Sequence, residues 1–413
     1  MRYIEPDDLD LSDFIRAGDT VICGQASGEP TTLTEKLVEQ RESIGPIGVF
    51  LGLTLSDSFG FEHSDFINFN SFGPMGKSRV LSDEGALNIT PMHYGLIDQY
   101  IREGTLKCDI ALVLLSPRGP NGEHSFGVIN DYIRAAIDKA RVVIGEVNDQ
   151  VPWVYSEGYP EMEKFTALIE TSRPLLCALP SKVTSLDEKI ANHVSKYIND
   201  GSILQIGMGS IPEAIASRIM DRRDLGFHSG MASDFLVDLM VSGVVTNATK
   251  PFDKGISTAA ILLGRTKLYE FADQNKNLKL RPSWHTHSGD VHRLKNFVSI
   301  NSALEVDLTG QVGSEELNGI PVSAIGGQPD LVRAAHRSDG GHAVIALPSS
   351  AREGKYSRIV SQLSGPVTTA RSDVDVIVTE NGAADLRGKN LQQRRQALIN
   401  IASPNFQEAL EKS

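Results

Sequence analysis

SILQIGMGSIPEAIASRIMDRRDLGFHSGMASDFLVD, residues 202–238, reads as a strand, a glycine corner and a helix. Ile203, Leu204 and Ile206 form the short apolar run of a buried strand. The run breaks at Gly207 and Gly209, and the spacing then predicts a helix with Pro212 at its first position and Ile211, Ile215 and Ile219 on one face. Such a corner turns backbone N–H groups and a helix dipole toward an anion, usually a phosphate. The GxGxxP spacing lacks the third glycine of the dinucleotide fingerprint and the Lys-Ser/Thr of a P-loop, so it matches neither. A tight turn that merely packs the helix on its strand is the competing reading.

Working outward, the same alternation recurs in both directions. Apolar runs at 20–23, 47–53, 110–115, 142–147, 166–170 and 175–178 are expected strands, with helical spacing after Pro30 and over 132–139. Residues 56–70 show no period and read as a long loop or short irregular strands. Composition turns polar over 181–187, where Asp187 is a candidate N-cap, and the domain boundary is expected there, giving domains 1–183 and 184–413. Beyond it, strands are expected at 244–245, 259–263, 297–300, 343–347 and 374–378, with an amphipathic helix over 391–401. Strands alternating with helices predict an α/β fold with mostly parallel sheets covered on both faces.

Three further features bear on chemistry. GQASGEP at 24–30 places two glycines and Glu29 at the tip of a strand, which suits either a ligand site or a solvated turn. Gly326 and Gly327 sit between a strand and a helix, as Gly207 does, and Arg352, Lys355 and Arg358 make the nearest basic cluster. WHTHSGDVH at 284–292 holds His285, His287 and His292, but no cysteine and only Asp290 accompany them, so a polar loop or ligand-facing edge outweighs a metal site.

Composition narrows the function classes. The chain has 413 residues, long for one core, with a formal charge of −12 that disfavours a nucleic-acid or anionic membrane surface. Cys23, Cys108 and Cys177 lie far apart without a CxxC, as in a reducing compartment. With no charged-then-apolar leader and no apolar run long enough to span a bilayer, a soluble cytoplasmic protein is expected.

Six segments together resemble the acetyl-CoA hydrolase/transferase family, which includes 4-hydroxybutyrate and butyrate:acetate CoA-transferases. They are GQASGEP (24–30), SPRGPNGEHSFGV (116–128), QIGMGSIPEAI (205–215), SINSALEVDLTGQV (299–312), AIGGQPDLVRAA (324–335) and VTENGAADLRGKNLQQRRQALINIASPNFQEAL (378–410). The resemblance implies two α/β domains of the CoA-transferase fold with the active site between them, and a homodimer or homotetramer. A sugar-phosphate isomerase on a similar fold is the weaker alternative, because these segments belong to the CoA group and not merely to its architecture.

The implied activity moves CoA between short-chain carboxylic acids, with acyl-CoA and a carboxylic acid as substrates and no metal. A carboxylate attacks the thioester to give an anhydride and CoA thiolate, which then forms an enzyme-bound thioester. The amides of Gly207, Met208, Gly209, Ser210 and Ile211 would take the phosphate-bearing end of CoA, with Arg352 and Lys355 as candidate partners. Gly326 and Gly327 would also bind the CoA ester, Gly327 supplying an oxyanion-hole amide. The family nucleophile is a glutamate in a His-Ser/Thr-Glu-Met segment; the matching residues here are His228, Ser229, Gly230 and Met231. Gly230 has no nucleophile. Three readings follow: Glu29 substitutes (Glu62 more remotely), the enzyme hydrolyses acyl-CoA or transfers the acyl group directly, or the chain binds CoA esters without turnover. Glu305 alternates with Val306 and Leu308 and fits a structural hydrogen bond better than a nucleophile.

Overall fold

A computed structural model describes all residues of the chain except Pro180 and Ser288. The chain divides into two compact units, one made of Met1–Ala178 and Thr258–Thr286, the other of Leu179–Ser257 and His287–Ser413. Residues 258–286 therefore belong with the first unit, although the polar stretch at 181–187 had suggested a single cut.

In the first unit eight strands form one sheet. They are β1 (Arg2–Tyr3), β2 (Thr20–Cys23), β3 (Ile47–Leu51), β4 (Ile67–Ser71), β5 (Leu87–Ile89), β6 (Ile110–Leu115), β7 (Val142–Asn148) and β8 (Ala167–Thr171). Their order is β1-β8-β7-β6-β2-β3-β4-β5, and every pair is parallel. Every residue of β6 and β7 is buried, as expected of strands covered on both faces. The helix Thr31–Glu39 buries Leu33, Leu37 and Val38. Its first turn is held by Glu146 of β7, which accepts the Thr32 and Leu33 amides at 3.0 and 3.3 Å. The period-free region at 56–70 contributes β4 to the sheet. No strand forms at 175–178.

The second unit is built on β9 (Ile203–Ile206), β10 (Gly226–Phe227), β11 (Phe297–Asn301), β12 (His342–Ala346), β13 (Val376–Thr379) and β14 (Gly382–Asp385). The order is β10-β9-β11-β12-β13-β14, parallel except where β14 returns antiparallel to β13. Helix Gln328–Arg337 buries Leu331, Val332, Ala334 and Ala335, and helix Leu391–Ile401 buries Leu398, Ile399 and Ile401 in the same core. Each of the leucines, isoleucines and the valine among them contributes about 1.5–3 kcal/mol when fully buried. Asp187 is not the N-cap: Thr184 is, and Asp187 closes a capping box by accepting the Thr184 amide at 2.9 Å. Pro212 stands in the first turn of helix Ser210–Arg218 but not at its first position. The amide it lacks would have had no partner within the helix, so the ring is tolerated there. No helix among the described residues is long and apolar enough to cross a membrane.

Candidate active site

β9, β10, β11 and β12 run parallel, so the loops that follow them leave the same carboxyl edge of the second sheet. Ligands of open α/β sheets bind at that edge. After β9 comes the corner Gly207, Met208, Gly209; Gly209 has φ +122°, which favours glycine, and Ser210 and Ile211 open the helix. The corner is half-buried apart from Met208, which is exposed, leaving the helix start accessible.

After β10 come His228, Ser229 and Gly230. The His228 amide donates to the Leu204 carbonyl at 2.9 Å, and Ser229 Oγ donates to the Ile206 carbonyl at 3.2 Å. Position 230 is thereby fixed beside the first glycine corner. Beneath it Lys250, 2% exposed, donates its ammonium to the Phe227 and Ile256 carbonyls at 3.0 and 2.8 Å. A buried cation so placed is satisfied by carbonyl dipoles.

β11 ends in a buried polar set: Gln205 Oε1 accepts from Ser299 Oγ at 2.6 Å and from Asn301 Nδ2 at 3.1 Å. The second glycine corner is tied to this end. Gln328 Nε2 donates to the Ser302 carbonyl at 2.6 Å, while its Oε1 accepts from Thr369 Oγ1 at 2.9 Å and Ser314 Oγ at 3.1 Å. Gly326 has φ +61°, and Gly327 precedes the helix directly. The chain leaving β12 forms a hairpin, Ser350–Ala351 with Tyr356–Ser357, that carries Arg352 and Lys355 exposed at its turn. The Arg352 guanidinium lies 5.7 Å from the Tyr356 ring centre, and Arg358 donates to the Ala303 carbonyl at 3.2 Å.

The two glycines meet at His287, which the sequence offers only as one of three histidines in a polar or ligand-facing segment. A Cβ built on Gly230 would lie 2.5 Å from Cε1 and 2.8 Å from Nε2 of His287; one on Gly327 would lie 2.2 Å from the same Nε2. The imidazole, buried at 8% exposure, is therefore bounded by both glycine backbones. WHTHSGDVH is not an extended edge but a short helix, Ser283–His287, followed by a 3-10 turn, Gly289–Arg293. His285 lies 3.9 Å from Glu157, and His292 contacts the Gly289 carbonyl. Spacing gave no signal that separated His287 from these two.

Glu29 lies in the first unit, on the loop after β2, and is buried. Its Oε1 accepts from Ser56 Oγ at 2.5 Å and Thr34 Oγ1 at 3.0 Å. Desolvation raises its pKa against those hydrogen bonds, so it holds its proton more tightly than a free glutamate. Gln25 anchors the loop, accepting the Leu53 amide at 2.8 Å and donating to Asp131 at 2.6 Å; burial lifts the Asp131 pKa to about 6. Glu62 sits exposed in a 3-10 turn. Glu305 is buried and accepts the Ser364 amide, the structural role its alternation suggested.

Residues 4–165 match the acetyl-CoA hydrolase/transferase N-terminal domain and residues 264–413 the C-terminal domain. The chain is 35% identical over 407 residues to a 4-hydroxybutyrate coenzyme A transferase of Clostridium kluyveri, covering 94% of this chain and 92% of that protein. It is 33% identical to a succinyl-CoA:cyclohexane-1-carboxylate CoA transferase of Geobacter metallireducens, covering 98% and 93%. The crystal structure of RipA from Yersinia pestis superposes with a TM-score of 0.94 at 31% identity, covering 100% of this chain and 96% of that one.

Proposed function

The chain belongs to the acetyl-CoA hydrolase/transferase family, and from that premise we propose that it transfers coenzyme A between short-chain carboxylic acids at the carboxyl edge of the second sheet. The observation that carries this is the gathering of both glycine corners and Gly230 at the ends of adjacent parallel strands. The amides of Gly207, Met208, Gly209, Ser210 and Ile211 take the phosphate-bearing end of CoA, and Arg352 and Lys355 extend from the same edge as cationic arms. Gly326 and Gly327 line the acyl site, with the Gly327 amide directed at the oxyanion.

Gly230 offers no carboxylate, so in this reading the acceptor acid attacks the thioester itself. Its oxygen bonds to the acyl carbonyl, the C–S bond breaks, and the CoA thiolate then attacks the acceptor-derived carbonyl of the mixed anhydride. The donor leaves as its carboxylate. No proton is exchanged with the protein in that sequence. Glu29 as substitute nucleophile is the second reading, a carboxyl on a strand-end loop positioned by the Ser56 and Thr34 hydroxyls. The same reading makes the enzyme a cytoplasmic homodimer or homotetramer; its three cysteines form no disulfide.

Transfer from acetyl-CoA to a panel of short acids tests both. Intersecting double-reciprocal lines, with no borohydride-reducible enzyme thioester, are expected. Parallel lines and a reduced peptide containing Glu29 would replace the direct route with the second reading. CoA-ester binding without transfer or hydrolysis would make the chain a non-catalytic binder.

A further inference from the structure

We propose that the His287 imidazole is the proton acceptor of this site and that the chemistry it adds is cleavage of acyl-CoA by water. The inference rests on the carboxyl edge of the second sheet being the thioester site. Its own ground is separate: two glycines from different loops, Gly230 and Gly327, both abut one imidazole, and its Nε2 faces the two of them. Side chains at 230 and 327 would displace that ring, so the glycines and the histidine form a single arrangement.

An imidazole so placed lies against the corner assigned to the acyl carbonyl. This edge carries two imidazoles, His228 and His287, and His287 is the one that abuts both glycines; an imidazole can take a proton and give it back near neutral pH. A carboxylate acceptor arrives already deprotonated and needs no such partner; water does. In the hydrolytic step His287 takes a proton from water as the water oxygen bonds to the thioester carbonyl. The resulting oxyanion is held by the Gly327 amide. Collapse breaks the C–S bond, and the imidazolium returns its proton to the CoA thiolate. Acid and CoA thiol leave, and the imidazole is neutral again.

The test compares wild type, His287→Gln and His287→Gly for release of CoA from acetyl-CoA, with and without an acceptor acid. Hydrolysis is expected to fall about 10²–10⁴-fold in both variants. It should fall further than transfer, so that the hydrolysis-to-transfer ratio drops; a merely structural role would lower the two together. In His287→Gly, added imidazole is expected to restore part of the hydrolysis and added pyrrole none. Hydrolysis at the wild-type rate in His287→Gln, an unchanged ratio, or a wild type that transfers without hydrolysing would each overturn the proposal. A wild type that neither binds nor cleaves any acyl-CoA would instead remove the site reading on which it rests.

Discussion

Gly230→Glu alone is expected to destabilise the second unit and to gain no ping-pong transferase activity, whereas Gly230→Glu with His287→Gly gains it. Gly230 is not among the glycines with positive φ, so its backbone accepts a side chain. Space is the obstacle. A new Cβ would stand 2.5 Å from Cε1 of a buried ring that also abuts Gly327, so the ring cannot retreat without disturbing the second corner. Overpacking of this kind costs about 1–3 kcal/mol.

Removing the imidazole frees the volume the glutamate needs. The double variant should recover stability relative to the sum of the single changes, with a coupling in the ~0.5–3 kcal/mol range of residues in contact. It should also show parallel-line kinetics and a borohydride-reducible thioester mapping to position 230. Urea unfolding and peptide mapping of the four proteins of the cycle check this. A single Gly230→Glu protein as stable as wild type, forming the glutamyl thioester with His287 present, would refute the exclusion.

Arg387→Ala is expected to cost the second unit several kcal/mol. Asp375, whose side chain is 1% exposed, sits just before β13 and receives Arg387 in two-pronged fashion, Nε to Oδ1 at 2.8 Å and Nη2 to Oδ2 at 2.5 Å. The His342 ring approaches the same carboxylate at 3.6 Å. Burial pushes the Asp375 pKa up, but hydrogen bonds from His342 and Arg387 and the guanidinium charge outweigh it, and the net shift is downward. Removing one partner of a buried pair costs about 3–5 kcal/mol; Arg387 is itself half-exposed, which places the loss near the lower end.

The sign with pH follows from the lowered pKa. The folded state binds fewer protons than the unfolded one, so the stabilisation is present above the ordinary aspartate pKa and is lost as pH falls through the lowered value. Arg387→Ala should therefore be most harmful at neutral pH and least harmful in acid. Arg387→Lys should recover part of the loss but not the two-pronged geometry. Unfolding curves at pH 7 and at a pH below the ordinary aspartate pKa of 3.8 decide it. A neutral-pH loss below ~1 kcal/mol would mean that the pair behaves as a surface contact.

Sequence made the covered strands easiest to read. Residues 110–115 and 203–206 are apolar with at most one polar member, and both are interior strands, β6 at the middle of its sheet and β9 one in from the edge strand β10. β4 escaped because INFNS alternates apolar residues with asparagines, which favour turns, and its strand character comes from pairing with β3 and β5. The C-terminal helix Pro404–Lys412 gives little periodic signal, since it buries Leu410 alone. Residues 258–286 alternate like their neighbours, and periodicity carries no information about which unit a segment packs with.

The site divides along the same line. The first glycine corner is legible because strand, glycine and helix are local in the chain; the second is legible only through the helix that follows Gly327, since residues 322–325 form no strand. His287 was not, because its two glycine neighbours come from loops distant in sequence and only the folded chain brings them to it.

A crystal structure with a non-hydrolysable thioether analogue of acetyl-CoA tests the central claim most directly. The ketone oxygen is expected within hydrogen-bond reach of the Gly327 amide, with the His287 imidazole alongside and the phosphates at the Gly209–Ser210 helix start. An analogue bound with its carbonyl away from Gly230, His287 and Gly327 would contradict it.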